Sequence, residues 1–302
     1  AASEDPIEQA FAQYADRVSG KWITPFMPTR EGTTLTFFYS EGLDDSQKKM
    51  LVAGLGIAVA MGLPATMSAR QAAQQAQATN NLKNMMLALH NYHDTRKTFP
   101  AHANYSADGK PLLSWRVHIL PFVEGQAIYE QFHLDEPWDS EHNKTLIAQM
   151  PEVYRNPNLP LEPGKTNYLA VVGIECIFDG TEKGMRMRDI TDGSSKTIAL
   201  VEADPAQAVE WTKPDDLEFN SDDPKAGLGN TGPGGWNAAL CDGSIRFISD
   251  NVDPQVLKAL FTRAGAEVVD VPVAAPVGPP PPAGGPDLIR VQEAPVDAAR
   301  ER

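Results

Sequence analysis

The chain has 302 residues, enough for one large domain or two modest ones, and an apolar fraction of 42% can fill a sizeable core. Its 40 acidic residues against 26 basic ones give a formal net charge of −14. Such a surface repels phosphate backbones and anionic headgroups, so nucleic acid is excluded as an expected partner.

The first twenty residues contain acids and no apolar run, so they do not read as a secretory signal. Residues 1–45 read as a small segment of their own. Ile7, Ala10, Phe11 and Tyr14 suit one helical face, and Thr34–Tyr39 suits a strand of β-branched and aromatic residues. Residues 41–49 are a polar joint.

Met50 to Leu63 is almost wholly apolar, with Gly54, Gly56 and Gly62 inside it and Pro64 after it. Fourteen residues reach roughly 21 Å as a helix, short of a hydrocarbon core of about 30 Å. Burial within protein is therefore expected, and membrane contact through 50–63 is the less favoured reading. Ala65 to His93 reads as one Ala- and Gln-rich helix. Leu82, Met85, Met86, Leu89 and His93 recur at offsets of three and four, so this stripe is predicted to face a core. Ala72, Ala73, Ala76 and Ala78 have thin side chains that admit another backbone at close range.

Leu113 to Ile119 alternates apolar and polar, which predicts a half-buried strand with Trp115 and His118 on opposite faces. Pro121 suits the first position of a helix carrying Phe122, Ile128, Tyr129 and Phe132. Asp139 or Ser140 suits the cap of a further helix with Leu146, Ile147 and Met150 inward. From Thr166 the pattern turns to strands, at 167–172, 196–202, 209–212, 236–241 and 244–248. Asp242-Gly243 predicts a two-residue type I′ hairpin turn, with positive φ at both positions. Asp179-Gly180 and Asp192-Gly193 predict two more turns. Residues 214–235 read as a long acidic loop, and 254–264 as a closing helix. Residues 272–286, rich in Pro and Gly, cannot pack a core and read as an extended or disordered tail.

Helix first and sheet after gives an α+β class, with the helix laid on a mainly antiparallel sheet. The organisation is a small segment at 1–45, a main domain at 46–270 with its long helix at 50–94, and a tail at 271–302. Cys176 and Cys241 stand far apart without metal spacing, which leaves either one disulfide or two buried thiols, the latter favoured.

Five blocks carry a resemblance. They are NNLKNMMLALHNYHDTRKTFP (80–100), the run from Leu112 to Ile147, NYLAVVG (167–173), RDITDGSSKTIALVE (188–202) and NAALCDGSIRFI (237–248). In this order, from about residue 50 to 263, they resemble the DUF1559 family, a large planctomycete family of unknown function also labelled a solute-binding-type domain. Its members often begin like type IV pilins or type II secretion pseudopilins. The resemblance implies a pilin-like helix leading into a sheet-bearing head, and a cell-envelope or exported location. Two departures stand out. Acidic and basic residues, not a prepilin cleavage motif, precede the apolar run. Gly232 also stands ten residues before Asp242, where the family often has a His.

His90, His93 and Asp94 lie within one helical turn and could offer metal ligands. The plainer reading, that they bond across to the head, is preferred, and no metal or cofactor is expected. Arg116 is expected to pair with Asp135, Glu136 or Asp139. The acidic groups at 189–192 and 215–223 have no calcium-loop spacing and read as solvated turns. No nucleophile elbow, phosphate loop or dinucleotide fingerprint appears, so no catalytic residues are assigned. The favoured function is a non-enzymatic, pseudopilin-like envelope protein working through protein partners or self-assembly. The alternative is a solute-binding module with a cleft near Trp115 and Trp138, drawing on Arg116, His118 and Tyr168.

Overall fold

The computed structural model describes residues 29–31, 34–39, 45–266 and 289–293, with side chains described from 69 to 266. The chain divides into two compact units, one of Ala1–Ser68 with Pro281–Arg302 and one of Ala69–Pro280. In the first unit, β1 (Thr29–Glu31) pairs antiparallel with β2 (Thr34–Tyr39), as the Thr and aromatic content of 34–39 predicts. The helix expected at 7–14 lies outside the described residues. The extended or disordered stretch expected at 272–286 also lies outside the described residues. Ile289–Glu293 forms β12, parallel to β2, because its Ile and Val alternate with polar residues as in a strand.

Helix α1 runs unbroken over Asp45–Arg96. It therefore takes in the end of the expected polar joint, the apolar run and Pro64. The expected burial of Met50–Leu63 concerns side chains outside the described residues. No helix among the described residues is long and apolar enough to cross a membrane. Lys97, in the left-handed region at φ 64°, ends α1.

In the second unit a five-stranded sheet has the order β11-β10-β7-β6-β9. Its strands are β6 (Tyr168–Val172), β7 (Ile198–Glu202), β9 (Leu217–Glu218), β10 (Gly235–Leu240) and β11 (Ile245–Ser249). All neighbours are antiparallel except β6 and β9. The two faces of the sheet bury separate cores. On one face Tyr168, Ala170, Leu200, Ala239 and Cys241 pack with Leu82, Met85, Met86 and Leu89 of α1. On the other face Leu169, Val171, Val201, Ala238 and Ile248 pack with Leu257, Leu260 and Phe261 of α4 (Pro254–Phe261). The period-two alternation of the strands thus meets a helix on each side.

The β10–β11 hairpin departs from the expected turn. Gly243 has φ +86°, but Asp242 is not in the positive-φ region. Ala239 faces Ile245 in the register, Gly243 N–H donates to Leu240 O, and Leu240 N–H donates to Ser244 O. The loop is therefore the three-residue kind, with glycine alone in the left-handed position. Asp242 instead spends Oδ1 on the Ser244 N–H and hydroxyl.

A second correction falls at 113–119. Strand β4 (Pro111–Ser114), paired with β3 (Ala103–Tyr105), stops at Ser114, and α2 (Trp115–His118) follows at once. Ser114 Oγ accepts the Arg116 N–H and caps the helix, a local bond that outweighs the strand-like alternation. Downstream, the expected helix at Pro121 divides into a 3-10 turn at Leu120–Phe122 and α3 (Gln126–Tyr129). Gly125 and Glu124, the latter at φ 62°, interrupt it. The expected helix after Ser140 is a 3-10 run at Asn143–Gln149, with Ser140 Oγ accepting the Asn143 N–H. A short pair, β5 (Lys165–Thr166) and β8 (Val209–Glu210), completes the unit.

Candidate functional site

Three of the five residues expected to line a cleft belong to a buried polar hub. Trp115, Arg116 and Tyr168 are each 0% exposed, while His118 and Trp138 are partly buried. Arg116 Nε and Nη2 donate to Tyr168 O at 3.1 and 3.0 Å, and Nη1 donates to Ser114 Oγ at 2.8 Å. Nη2 also meets the Asp216 carboxylate in an ion pair with both side chains at 0% exposure. The Asp216 oxygens accept Trp115 Nε1–H at 3.2 and 3.1 Å, and Oδ1 accepts the Ala170 N–H at 2.8 Å. Tyr154 closes the hub by donating its hydroxyl to Arg116 O at 2.7 Å. Burial pushes the Asp216 carboxyl above its ordinary range, opposed by the Arg116 guanidinium and by the donors from Ala170 and Trp115.

Arg116 therefore does not pair with Asp135, Glu136 or Asp139. Glu136 pairs with His133 at 3.0 Å on the surface. The physical reason is strand β9. Its parallel pairing sets Leu217 beside Val171, which brings Asp216 against the start of β6. Asp216 sits in the stretch that the sequence presents as a solvated acidic loop, and nothing local marks it as buried. Its apolar neighbour Leu217 is the one hint.

His118 sits behind this hub. Its Nε2 lies 3.2 Å from Asn104 Oδ1, which also accepts the Leu113 N–H. Burial, with a smaller push from Arg96, lowers its pKa to about 4. Trp138 is tied by its backbone N–H to Leu112 O, and Lys213 Nζ stands 5.7 Å above its ring.

Several of the other expected polar groups are engaged within the fold, although His90 Nε2 is buried without a hydrogen-bond partner among the described residues. His93 Nε2 accepts the Met187 N–H at 3.4 Å. Asp192 accepts the Gly265 and Ala266 N–H groups, and Asp189 accepts the Arg186 N–H. Among the described residues no three His, Cys, Asp or Glu gather as metal ligands. Cys176 and Cys241 are free, buried thiols. Burial pushes Cys176 up to about 12 and raises Cys241 as well, so neither thiol is poised as a nucleophile.

The first stretch of α1 whose side chains are described is largely exposed. Ala69, Arg70, Gln71, Ala72, Ala73, Ala76 and Gln77 are exposed, and burial begins at Ala78. Gln74 Nε2 donates to Pro157 O at 3.1 Å, and Asn81 Nδ2 to Arg155 O at 2.9 Å. These two bonds pin α1 to the 152–158 turn, and beyond them the helix continues with small side chains turned outward.

A family model described as a protein of unknown function (DUF1559) matches residues 67–174. Over residues 67–174 the chain is similar to the DUF1559 family. The matched span takes in α1 from residue 67, the β3–β4 hairpin, α2, α3 and β6, and so includes Arg116 but not Asp216. Within the matched span, the wording legible at 80–100 covers the last part of α1, which packs on the sheet. No curated protein and no solved structure matches the chain.

Proposed function

We propose that this protein is a non-enzymatic, pseudopilin-like component of the cell envelope that works through protein–protein contacts. The observation that carries this reading is the division of labour along α1. From Ala78 to Leu89 the helix is committed to the head, whereas over 69–77 it presents Ala and Gln side chains to solvent. A continuous helix holds such a stretch in order without a core beneath it, which suits helix-to-helix contact. The burial of Trp115, Arg116 and Tyr168 argues for a head held rigid by its polar hub, and gives the solute-binding reading no open cleft at these residues.

Site-directed cross-linking tests the contact role. Both native thiols are buried, so cysteines introduced as Ala73→Cys and Ala76→Cys in the full chain report with little background. Bismaleimide treatment is expected to give dimers or partner adducts at these positions and not at the exposed Lys144→Cys on the head. Equal labelling into adducts at all three positions, or adducts at none, would reject the proposal.

A further inference from the structure

We infer that Glu202 is a pH-sensitive latch in the head, holding β7 to β10 as the neutral acid and straining that joint when it ionises. This rests on observations independent of the contact role of α1. Glu202 ends β7 with 3% exposure. Its Oε2 accepts the Asn237 backbone N–H at 3.1 Å and the Asn237 Nδ2–H at 3.0 Å. Its Oε1 is buried and meets no donor among the described residues. The cross-strand partner of Glu202 is Tyr168, whose hydroxyl is likewise buried without a hydrogen bond. The two side chains share the face of the sheet that α1 covers.

Among the described residues no cation compensates this carboxyl. From β6 it faces the neutral Tyr168, and from β10 the neutral Asn237. From α1, Asn81 is turned to the carbonyls of Glu152 and Arg155. In the turn above, Glu152 and Arg155 are exposed and pair with each other. On β11, Arg246 is opposite Ala238, which packs in the α4-side core, so it lies on the other face of the sheet. Asp204, just beyond β7, is engaged by Asn230 Nδ2 and the Ala206 N–H. Arg116, the buried cation of the hub, is committed to Asp216.

A buried carboxylate with two neutral donors and no counter-ion is costly, because desolvation penalises the charged form more than those donors favour it. Its pKa accordingly rises from 4.5 to about 7, burial being the largest cause, offset by the Asn237 N–H and side chain. The folded-state value is above the unfolded one. The contribution to stability is therefore complete below about pH 4.5, is lost as pH rises towards 7, and changes no further above that.

The test is chemical unfolding of the full chain and of Glu202→Gln across this window. The stability of Glu202→Gln is expected to gain on the wild type as pH rises, by on the order of a hundred-fold in the unfolding constant. A difference between the two proteins that does not change with pH would overturn the latch. Should Glu202→Gln fail to fold, a carbon-13 carboxyl titration of wild type and Asn237→Ala decides the matter. The Glu202 midpoint is expected near 7, and higher in Asn237→Ala, which removes one donor to the charged form. A wild-type midpoint in the ordinary glutamate range, or no upward movement in Asn237→Ala, would sink the idea.

Discussion

Arg116 and Asp216 meet across 100 residues of sequence with both side chains wholly buried. Through them α2, the start of β6 and the approach to β9 share one set of hydrogen bonds. Such a pair adds little net stability over an apolar replacement, but removing one partner strands the other as an uncompensated buried charge. Asp216→Ala is expected to cost about 3–5 kcal/mol in urea unfolding. The double variant Arg116→Met/Asp216→Ala is expected to lose clearly less than the sum of the two single changes. Additive losses would show that the two groups do not act as a pair.

The hairpin at 240–244 separates two reasons for glycine. At Gly243 the backbone is left-handed, yet an added Cβ would meet nothing nearer than His90 Nε2 at 3.9 Å. At Gly235 an added Cβ would stand 2.0 Å from Ile248 O, a backbone atom that must shift. Gly243→Ala is expected to cost about 1 kcal/mol, the penalty of the left-handed conformation. Gly235→Ala is expected to cost more than that and to disturb the β10–β11 amide signals in a nitrogen–proton spectrum. Equal costs would mean that close approach is not what Gly235 serves.

Where short-range pattern decided the structure, the sequence was readable. The stripe Leu82–Leu89, the strands at 168–172, 198–202 and 245–249, and the capped helix after Asp253 all rest on period and local chemistry. Two kinds of feature escaped. At Trp115 the apolar–polar alternation points to a strand, and a single hydroxyl of Ser114 caps a helix there instead. At Asp216 and Glu202 burial comes from distant pairing, β9 against β6 and β7 against β10, which no local window contains. The hub's residue types were visible, but the identity of its carboxylate was not.

His118 carries the opposite pH dependence to Glu202. Its pKa falls from 6.5 to about 4 in the fold because burial penalises the imidazolium, with Arg96 adding repulsion. Between these values the unfolded chain binds more protons, so stability rises with pH. The contribution is complete above about 6.5 and is lost as pH falls towards 4. His118→Gln is expected to flatten this part of the profile by about 3 kcal/mol between pH 7 and 4. Glu202 has an opposing slope in an overlapping window. Each residue must be read from the difference between its variant and the wild type, and a His118→Gln difference that ignores pH would refute the assignment.

The final prediction concerns α1, where two leucines two positions apart face opposite environments. Leu89 is 1% exposed and packs in the core that holds Tyr168, Leu200 and Cys241, whereas Leu87 is 58% exposed on the same helix. Helix propensity is identical for the two replacements, so their difference isolates packing. Leu89→Ala removes a wholly buried side chain and leaves a cavity between α1 and the sheet, and is expected to cost about 2–5 kcal/mol. Leu87→Ala gives up only the covered part of its side chain, and is expected to cost about 0.5 kcal/mol or less. Thermal unfolding of the full chain, followed by circular dichroism, reads both. If the two losses were alike, the head would not be built on the stripe through Leu82, Met85, Met86 and Leu89. A large loss at Leu87 alone would instead mean that its face is covered in solution, which would place a contact surface along the committed half of α1 as well as over 69–77.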